Sequence, residues 1–256
     1  MIGFLVGSGF YDHAGLVSSS VATRFGTVSV QRGDLAGRPV ALVARHGAGH
    51  ARLSNHVNHR ANLLALKNVG ATAIVSCSVC GVLRADWPLA RALIASDLHF
   101  PENRLPTGEI CTIFDQPGAT GRGHLIAGSL MNTALSSAIE DLWKDNGVEP
   151  LTGTYAHMDG PRFNTRSEIR ALQAAGVDFI SQTCGPEAVL ANDLELPYAL
   201  AAFGVDHANG VATEPTPPAV LKANLELATR AFRILVERLS APAGALQFAN
   251  FVYRFN

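Results

Sequence analysis

The sequence predicts an α/β fold in which a sheet is flanked by helices. Short apolar runs alternate along the chain with stretches of helical periodicity, which is the pattern of this class. The 256 residues are 48% hydrophobic and 16% charged, a composition that supports a sizeable buried core. No internal repeat or interdomain linker is evident. We therefore expect a single domain spanning residues 1–256.

Eight short apolar runs are predicted to be strands, and five longer periodic stretches are predicted to be helices. The strands are Ile2–Val6, Thr27–Gln31, Pro39–Ala44, Ala73–Ser78, Ala92–Ala95, Gly153–His157, Asp178–Ser181 and Tyr198–Gly204. The helices are Asn58–Asn68, Asn132–Lys144, Arg166–Ala175, Pro186–Leu194 and Pro218–Leu239. Pro186 can open a helix without losing a hydrogen bond, and Glu187 in that first turn is expected to be structural.

The segment Phe100–Gly128 does not fit this alternation. It contains several Gly and Pro residues and little periodicity. Structureless segments of this length inside compact domains are usually functional or disordered. We expect a long, mobile excursion near a site or a subunit boundary.

The composition excludes several classes of partner. The net charge is −1 with no basic stripe, which argues against nucleic acid. No apolar run is long enough to cross a bilayer, so we expect no membrane partner. The N-terminal residues Met1–Leu5 lack a basic leader and a cleavage site, and they are interpreted as the first strand of a cytoplasmic protein.

Cysteine and histidine spacing does not favour a metal site. Cys77-x-x-Cys80 ends a strand-like run and has no second pair, so buried free thiols are expected rather than a zinc or redox motif. A group of histidines lacks acidic neighbours and an H-E-x-x-H pattern, and we expect no metal there. These histidines are His46, His50, His56 and His59.

Residues suited to binding an anion follow several of the predicted strands. Arg45-His46 ends the third strand, where Arg would recognise a planar or tetrahedral anion or form a surface ion pair. Gly7–Gly9 (G-S-G) follows the first strand and offers backbone N–H groups and a hydroxyl, although such a sequence is also common in simple turns. Ser78–Gly81 is predicted as a turn of small residues, and Thr183 precedes a helix N-terminus.

An aromatic residue lies in a turn between these elements. Gly160-Pro161 fixes the turn, and Arg162 can anchor it. Phe163 could present an aromatic face to a ligand, and from its spacing alone it could equally be a core residue.

The order of these motifs resembles that of the trimeric purine nucleoside phosphorylase family. The similarity is greatest to its 5′-methylthioadenosine and 5′-methylthioinosine phosphorylase branch, and it covers most of the chain outside residues 84–128. The matching segments are G-S-G at Gly7–Gly9, A-R-H-G at Ala44–Gly47, V-N-H-R-A-N-L-L-A-L-K at Val57–Lys67, C-S-V-C-G-V-L at Cys77–Leu83, D-G-P-R-F at Asp159–Phe163 and Q-T-C-G-P-E-A-V-L-A at Gln182–Ala191. The resemblance implies a central mixed, twisted sheet flanked by helices.

The resemblance implies phosphorolysis of an N-glycosidic bond with inorganic phosphate as co-substrate and no other cofactor. The residues at the positions of the family's phosphate site are Ser8, Arg45, His46, Ser78, Val79 and Thr183. Phe163 would pack on the base, and Asp206, which follows the strand Tyr198–Gly204, would be the base-side acid. Gln182 stands where the family usually has a ribose-lining Met. A homotrimer is also implied.

Departures from the family pattern bear on the substrate. Asn164 and Asp206 face the expected base position, and Ala208 replaces a further Asp of the methylthioadenosine branch. The apolar residues of Pro217–Val220 offer no partner for a 5′-hydroxyl. We expect 5′-methylthioadenosine, with 6-oxopurine nucleosides such as 5′-methylthioinosine or inosine as the alternative. A nucleoside hydrolase and a non-catalytic nucleoside-binding protein remain as further hypotheses.

Overall fold

The computed structural model describes residues 1–240 and 246–255. The strands in these ranges are β1 Ile2–Val6, β2 Val17–Thr23, β3 Gly26–Leu35, β4 Arg38–Ala44, β5 Ala73–Val82, β6 Arg91–His99, β7 Gly123–Ile126, β8 Leu151–His157, β9 Phe179–Ser181, β10 Tyr198–His207 and β11 Phe251–Arg254. The α-helices are α1 His59–Asn68, α2 Thr133–Asp145, α3 Arg166–Ala174, α4 Cys184–Asp193 and α5 Pro218–Arg238.

A nine-stranded mixed sheet forms the centre of the fold, in the order β10-β6-β8-β9-β5-β1-β4-β3-β2. β10 also pairs with β5, so that β5, β10, β6, β8 and β9 close into a ring. β1 is parallel to both β4 and β5, and β10 is parallel to β5. The carboxyl ends of these four strands therefore meet at one edge, where ligands of α/β sheets bind. The predicted mixed sheet is confirmed.

Helices cover the sheet and bury its apolar side chains. α1 packs against α4, and α2 packs against α5. Trp143 of α2 and Phe232 of α5 are almost fully buried, and the Trp143 Nε1–H donates to the Ala231 carbonyl at 3.1 Å. Burying two such aromatic side chains contributes about 1.5–3 kcal/mol each, which fixes the two helices against the sheet.

Each predicted helix and strand is found, with changes at the ends. Asn58 and Asn132 are N-caps whose side chains accept from Ala61 N–H and Leu135 N–H. α4 begins at Cys184, so Pro186 lies inside its first turn and the predicted start there is wrong. The remaining helix ends agree within one residue.

The predicted turn Ser78–Gly81 is wrong, because these residues continue β5. Ser78 pairs with Ala202 of β10, and Gly81 pairs with both Asp206 and Ile180. Small residues resemble a turn locally, but here strands on both sides supply the hydrogen bonds. β2, β7 and β11 were not predicted; β2 is Ser-rich and largely exposed, so it lacks an apolar run.

The segment Phe100–Gly128 is packed onto the body of the protein, contrary to the expectation of a mobile excursion. Leu105, Cys111 and Ile113 are buried in the core. Asp193 of α4 accepts from the Thr112 hydroxyl at 2.7 Å and from the Ile113 N–H at 2.9 Å. The segment ends in β7, which pairs with β11.

All four cysteines are free and buried: Cys77, Cys80, Cys111 and Cys184. The prediction of buried free thiols at Cys77 and Cys80 is confirmed. Within the described ranges, no helix is both long and apolar enough to cross a membrane. No cluster of three or more His, Cys, Asp or Glu residues suited to a metal ion occurs among the residues described.

Candidate active site

One cavity of about 460 Å³ lies at the edge where the parallel strands end. It brings together the eleven residues that the sequence analysis placed in the phosphate site or beside the base and ribose, although they are up to 200 positions apart in the chain. They are Ser8, Arg45, His46, Ser78, Val79, Phe163, Asn164, Gln182, Thr183, Asp206 and Ala208. A concave, mostly apolar pocket with a few converging polar groups is typical of a small-molecule site.

One end of the cavity carries groups that suit an anion. Ser8 follows β1, and Thr183 is the N-cap of α4 without a side-chain cap bond of its own. Ser78 on β5 lies 3.1 Å from the Ser181 hydroxyl, because β9 runs antiparallel beside it. Hydroxyls and the N-terminus of a ten-residue helix thus face one space. This arrangement favours negative charge.

Arg45 lies beneath this end and is only 1% exposed. Its guanidinium forms a bidentate pair with Glu187, through Nε at 2.6 Å and Nη2 at 2.9 Å. Nη2 also donates to the Leu5 carbonyl at 2.8 Å, and Nη1 donates to the Cys77 carbonyl at 2.9 Å. Burial opposes the charge, but the Glu187 carboxylate raises the pKa of Arg45 above its ordinary value overall. Arg45 is therefore a fixed, buried cation.

His46 is held as a neutral ring. Its Nδ1 lies 2.8 Å from the Arg52 carbonyl, so this nitrogen must carry the hydrogen. Burial and the nearby Arg45 lower the pKa of His46 to about 4. The ring stacks on His50 at 4.1 Å, and His50 Nδ1 lies 3.1 Å from the Tyr11 hydroxyl. At neutral pH, Nε2 of His46 is thus a hydrogen-bond acceptor.

The cavity also carries an aromatic ring on an anchored loop. Phe163 is 75% exposed, so it is not the core residue that its spacing allowed. Arg162 beside it pairs with Glu168 at 2.7 and 2.9 Å. Glu168 also completes a capping box with Thr165 at the start of α3. The loop therefore presents an exposed ring on a fixed backbone.

Asp206 also lines the cavity, at a bulge in β10. The pairing with β5 passes from Gly204 opposite Cys80 to Asp206 opposite Gly81, which leaves Val205 as the extra residue. Bulges re-aim side chains and are frequent beside active sites. Burial raises the pKa of Asp206 from 3.8 to about 6. This carboxyl can therefore carry a proton near neutral pH.

Gln182 is bonded to the cavity wall. Its Oε1 accepts from the Ser54 hydroxyl at 2.9 Å, and its Nε2 donates to the Arg162 carbonyl at 2.9 Å. A Cβ at Gly160 would collide with the Gln182 amide and the Ser54 hydroxyl, so a larger residue there would displace this hydrogen-bonded pair. Gln182 thus joins the aromatic loop to the segment before α1. One N–H of Nε2 and one lone pair of Oε1 remain for a ligand.

Comparison with known proteins places this fold and cavity in a family. The sequence profile of the Phosphorylase superfamily matches residues 1–241. The chain belongs to the phosphorylase superfamily. The expectation that one domain spans all 256 residues stays a prediction, because the match ends at residue 241.

Individual members of the superfamily resemble this phosphorylase over most of its length. A probable 6-oxopurine nucleoside phosphorylase from Thermococcus kodakarensis is 35% identical, covering 82% of this chain and 80% of its own. An S-methyl-5′-thioadenosine phosphorylase from Gloeobacter violaceus is 34% identical, covering 94% and 84%. Methylthioadenosine phosphorylase from Schistosoma mansoni in complex with adenine has a TM-score of 0.82, at 23% identity over 92% of this chain and 89% of that one. This last likeness concerns the fold alone.

Several residues of the phosphorylase cavity were missed in the sequence. Leu221 and Leu225, one turn apart on α5, line it together with Leu53 and His50. The residues Pro217–Val220, which were expected to line a 5′ pocket, are not among its lining residues. The i, i+4 spacing of the two leucines marks a helix face, but local pattern does not show that this face borders a cavity.

Proposed function

We propose that the protein catalyses phosphorolysis of the N-glycosidic bond of a purine nucleoside, with 5′-methylthioadenosine as the preferred substrate. Inorganic phosphate is the co-substrate, and no other cofactor is involved. One observation carries the proposal: a single cavity is lined by groups that suit an anion, by an exposed aromatic ring and by a protonatable carboxyl. A nucleoside whose base lies on Phe163 would point its ribose towards the anion.

The proposed reaction joins a phosphate oxygen to ribose C1′ while the C1′–N9 bond breaks. The bonding electron pair leaves with the purine, and the ribose passes through an oxocarbenium-like state. Phosphate held by Ser8, Ser78, Thr183 and Arg45 stabilises that cation and then captures it, so that positioning and electrostatics supply most of the rate. The products are the free purine and 5-methylthioribose 1-phosphate.

Asp206 is proposed as the acid that stabilises the leaving base. A purine anion gains a proton or a hydrogen bond at N7, and a neutral carboxyl can donate one. The raised pKa of about 6 supports this role, and exclusion of water by a bound base would raise it further. Asn164 is proposed as a second polar partner of the base, and its backbone carbonyl accepts from Asn209 at 2.7 Å.

The substrate assignment depends on both ends of the nucleoside. Leu221 and Leu225 are apolar and suit a methylthio group, because they offer no partner for a 5′-hydroxyl. A 6-oxopurine nucleoside is the second candidate. It is favoured by Ala208, which lacks a carboxylate to accept from a 6-amino group, and by the similarity to the Thermococcus enzyme.

A homotrimer and a cytoplasmic location are part of the same proposal. The ribbon of β7 and β11 supports self-association, because it exposes several large apolar side chains to solvent. These are Ile126, Phe251 and Tyr253, followed by Phe255, each about half exposed or more. Apolar clusters of this kind usually mark interaction surfaces. Light scattering of the purified protein tests the trimer.

The deciding experiment measures base release from 5′-methylthioadenosine, 5′-methylthioinosine and inosine, with and without phosphate. We expect phosphate-dependent turnover that is fastest with 5′-methylthioadenosine. A faster reaction with 5′-methylthioinosine would establish the 6-oxopurine alternative. Base release that does not require phosphate would indicate a hydrolase, and binding without turnover would indicate a binding protein.

A further inference from the structure

The hydrogen bonds of Arg45 leave little of its guanidinium for a ligand. A guanidinium has five N–H groups, and four of them donate to Glu187 twice, to Leu5 and to Cys77. The fifth belongs to Nη1. A Cβ added to Gly7 would lie 2.5 Å from this nitrogen, so Nη1 lies directly against the turn that carries Ser8. Arg45 can therefore offer the anion one N–H, in one direction.

That direction is set by Glu187. Its carboxylate is completely buried and holds Nε and Nη2 in a planar fork, which fixes the rotation of the guanidinium. Ser76, which lies within β5, donates its hydroxyl hydrogen to the same carboxylate at a distance of 2.6 Å. His59 lies behind it, with Nδ1 3.7 Å from Oε1, and burial lowers the pKa of this imidazole. Because the His59 imidazole is neutral, it does not compete with Arg45 as a cation for the Glu187 carboxylate.

Glu187 also lies on the helix that faces the anion. It is in the first turn of α4, whose N-cap is Thr183. The carboxylate therefore ties the cation under the cavity to the helix end above it, although the two residues are 142 positions apart in sequence. A small displacement of either would move both anion-binding elements relative to each other.

We infer that Glu187 is a positioning residue for the phosphate half of the reaction, acting through Arg45 and supported by Ser76. This inference rests on the proposed function, because it concerns the phosphate co-substrate. It assigns to Glu187 more than the structural role that its place in the helix predicts. Loss of a purely structural ion pair would lower the stability of the fold without a selective effect on phosphate. Loss of a positioning residue would raise KM for phosphate and leave KM for the nucleoside nearly unchanged.

The test compares Glu187→Gln and Ser76→Ala with the unchanged protein. We expect Glu187→Gln to raise KM for phosphate about tenfold or more, because one charge-assisted fork is lost, while KM for the nucleoside stays within about twofold. Ser76→Ala, which removes one hydroxyl, should raise KM for phosphate about threefold. Added phosphate should raise the melting temperature least in Glu187→Gln and by an intermediate amount in Ser76→Ala. This thermal shift measures phosphate binding independently of activity.

Ser136→Ala is the matched control, because the Ser136 hydroxyl is also buried but has no partner among the described residues. It should leave KM for both substrates unchanged. Equal changes in both KM values, or a lower melting temperature with unchanged phosphate KM, would overturn the inference. If Glu187→Gln does not fold, Ser76→Ala still decides. Failure of the unchanged protein to use phosphate would refute the proposed function instead, a separate result.

Discussion

Replacement of Asp206 by asparagine tests the buried carboxyl through the stability of the protein. The pKa of Asp206 is raised from 3.8 to about 6 by burial. Its protonated form is therefore favoured by folding. The favourable contribution is complete below the unfolded pKa and is lost as the pH rises through about 6.

The magnitude follows from the size of the shift. At pH 8 the carboxyl is ionised, and a difference of about two pKa units then lowers the free energy of unfolding by about 3 kcal/mol. At pH 4 the carboxyl is mostly protonated, and the same difference lowers it by only about 0.5 kcal/mol. Asparagine has no such cost. The difference in the free energy of unfolding between the Asp206→Asn variant and the parent should thus increase by about 2–3 kcal/mol, in favour of the variant, from pH 4 to pH 8.

Urea unfolding of parent and variant at both pH values measures this difference. Asp141→Asn, at an exposed position of α2, is the control and should show no comparable pH-dependent gain. The same assay preparations should show that Asp206→Asn lowers kcat/KM about 10²–10⁴-fold, as expected for loss of a general acid. A stability difference that is the same at pH 4 and pH 8 would refute the reasoning about burial.

Three further substitutions test other parts of the cavity. Phe163→Ala should raise KM for the nucleoside about tenfold, because stacking on the base is lost. The free energy of unfolding in urea should change by less than about 1 kcal/mol, because the ring is exposed. An unchanged KM would contradict the proposed role of Phe163. Gly7→Ala should raise phosphate KM about tenfold or more, because its methyl group would displace the Arg45 guanidinium; phosphate titration measures this. Gln182→Leu should leave the Ser54 hydroxyl unpaired and raise KM for the nucleoside several-fold. In steady-state kinetics, a raised nucleoside KM with an unchanged phosphate KM would support this role of Gln182.

The sequence was informative where function depends on local order along the chain. Strands β1 and β4 end where their apolar runs end, so Gly7 and Arg45 could be placed at one edge of a sheet before the structure was known. Motif order then supplied the other candidate site residues, whereas Leu53, Leu221 and Leu225 of the cavity were missed. Parallel pairing of β1 with β4 and β5 explains why these distant residues meet.

Features that depend on distant partners could not be predicted. Cys80 and Gly81 have the neighbours of turn residues, and only their pairing with β10 makes them part of a strand. The bond between Arg45 and Glu187 connects residues that no local pattern relates. β7 has only four residues and is stabilised by β11, more than 120 positions later in sequence. Propensity and periodicity contain no information about such pairings.

The extra residue in β10 lets two consecutive residues of one strand reach the same cavity. Neighbours in a regular strand point to opposite faces of the sheet, but Val205 and Asp206 both line the cavity. The interruption lies at the bulge opposite Gly81, where the alternation of β10 is broken. A bound base would therefore meet an apolar residue and a carboxyl from adjacent positions of a single strand.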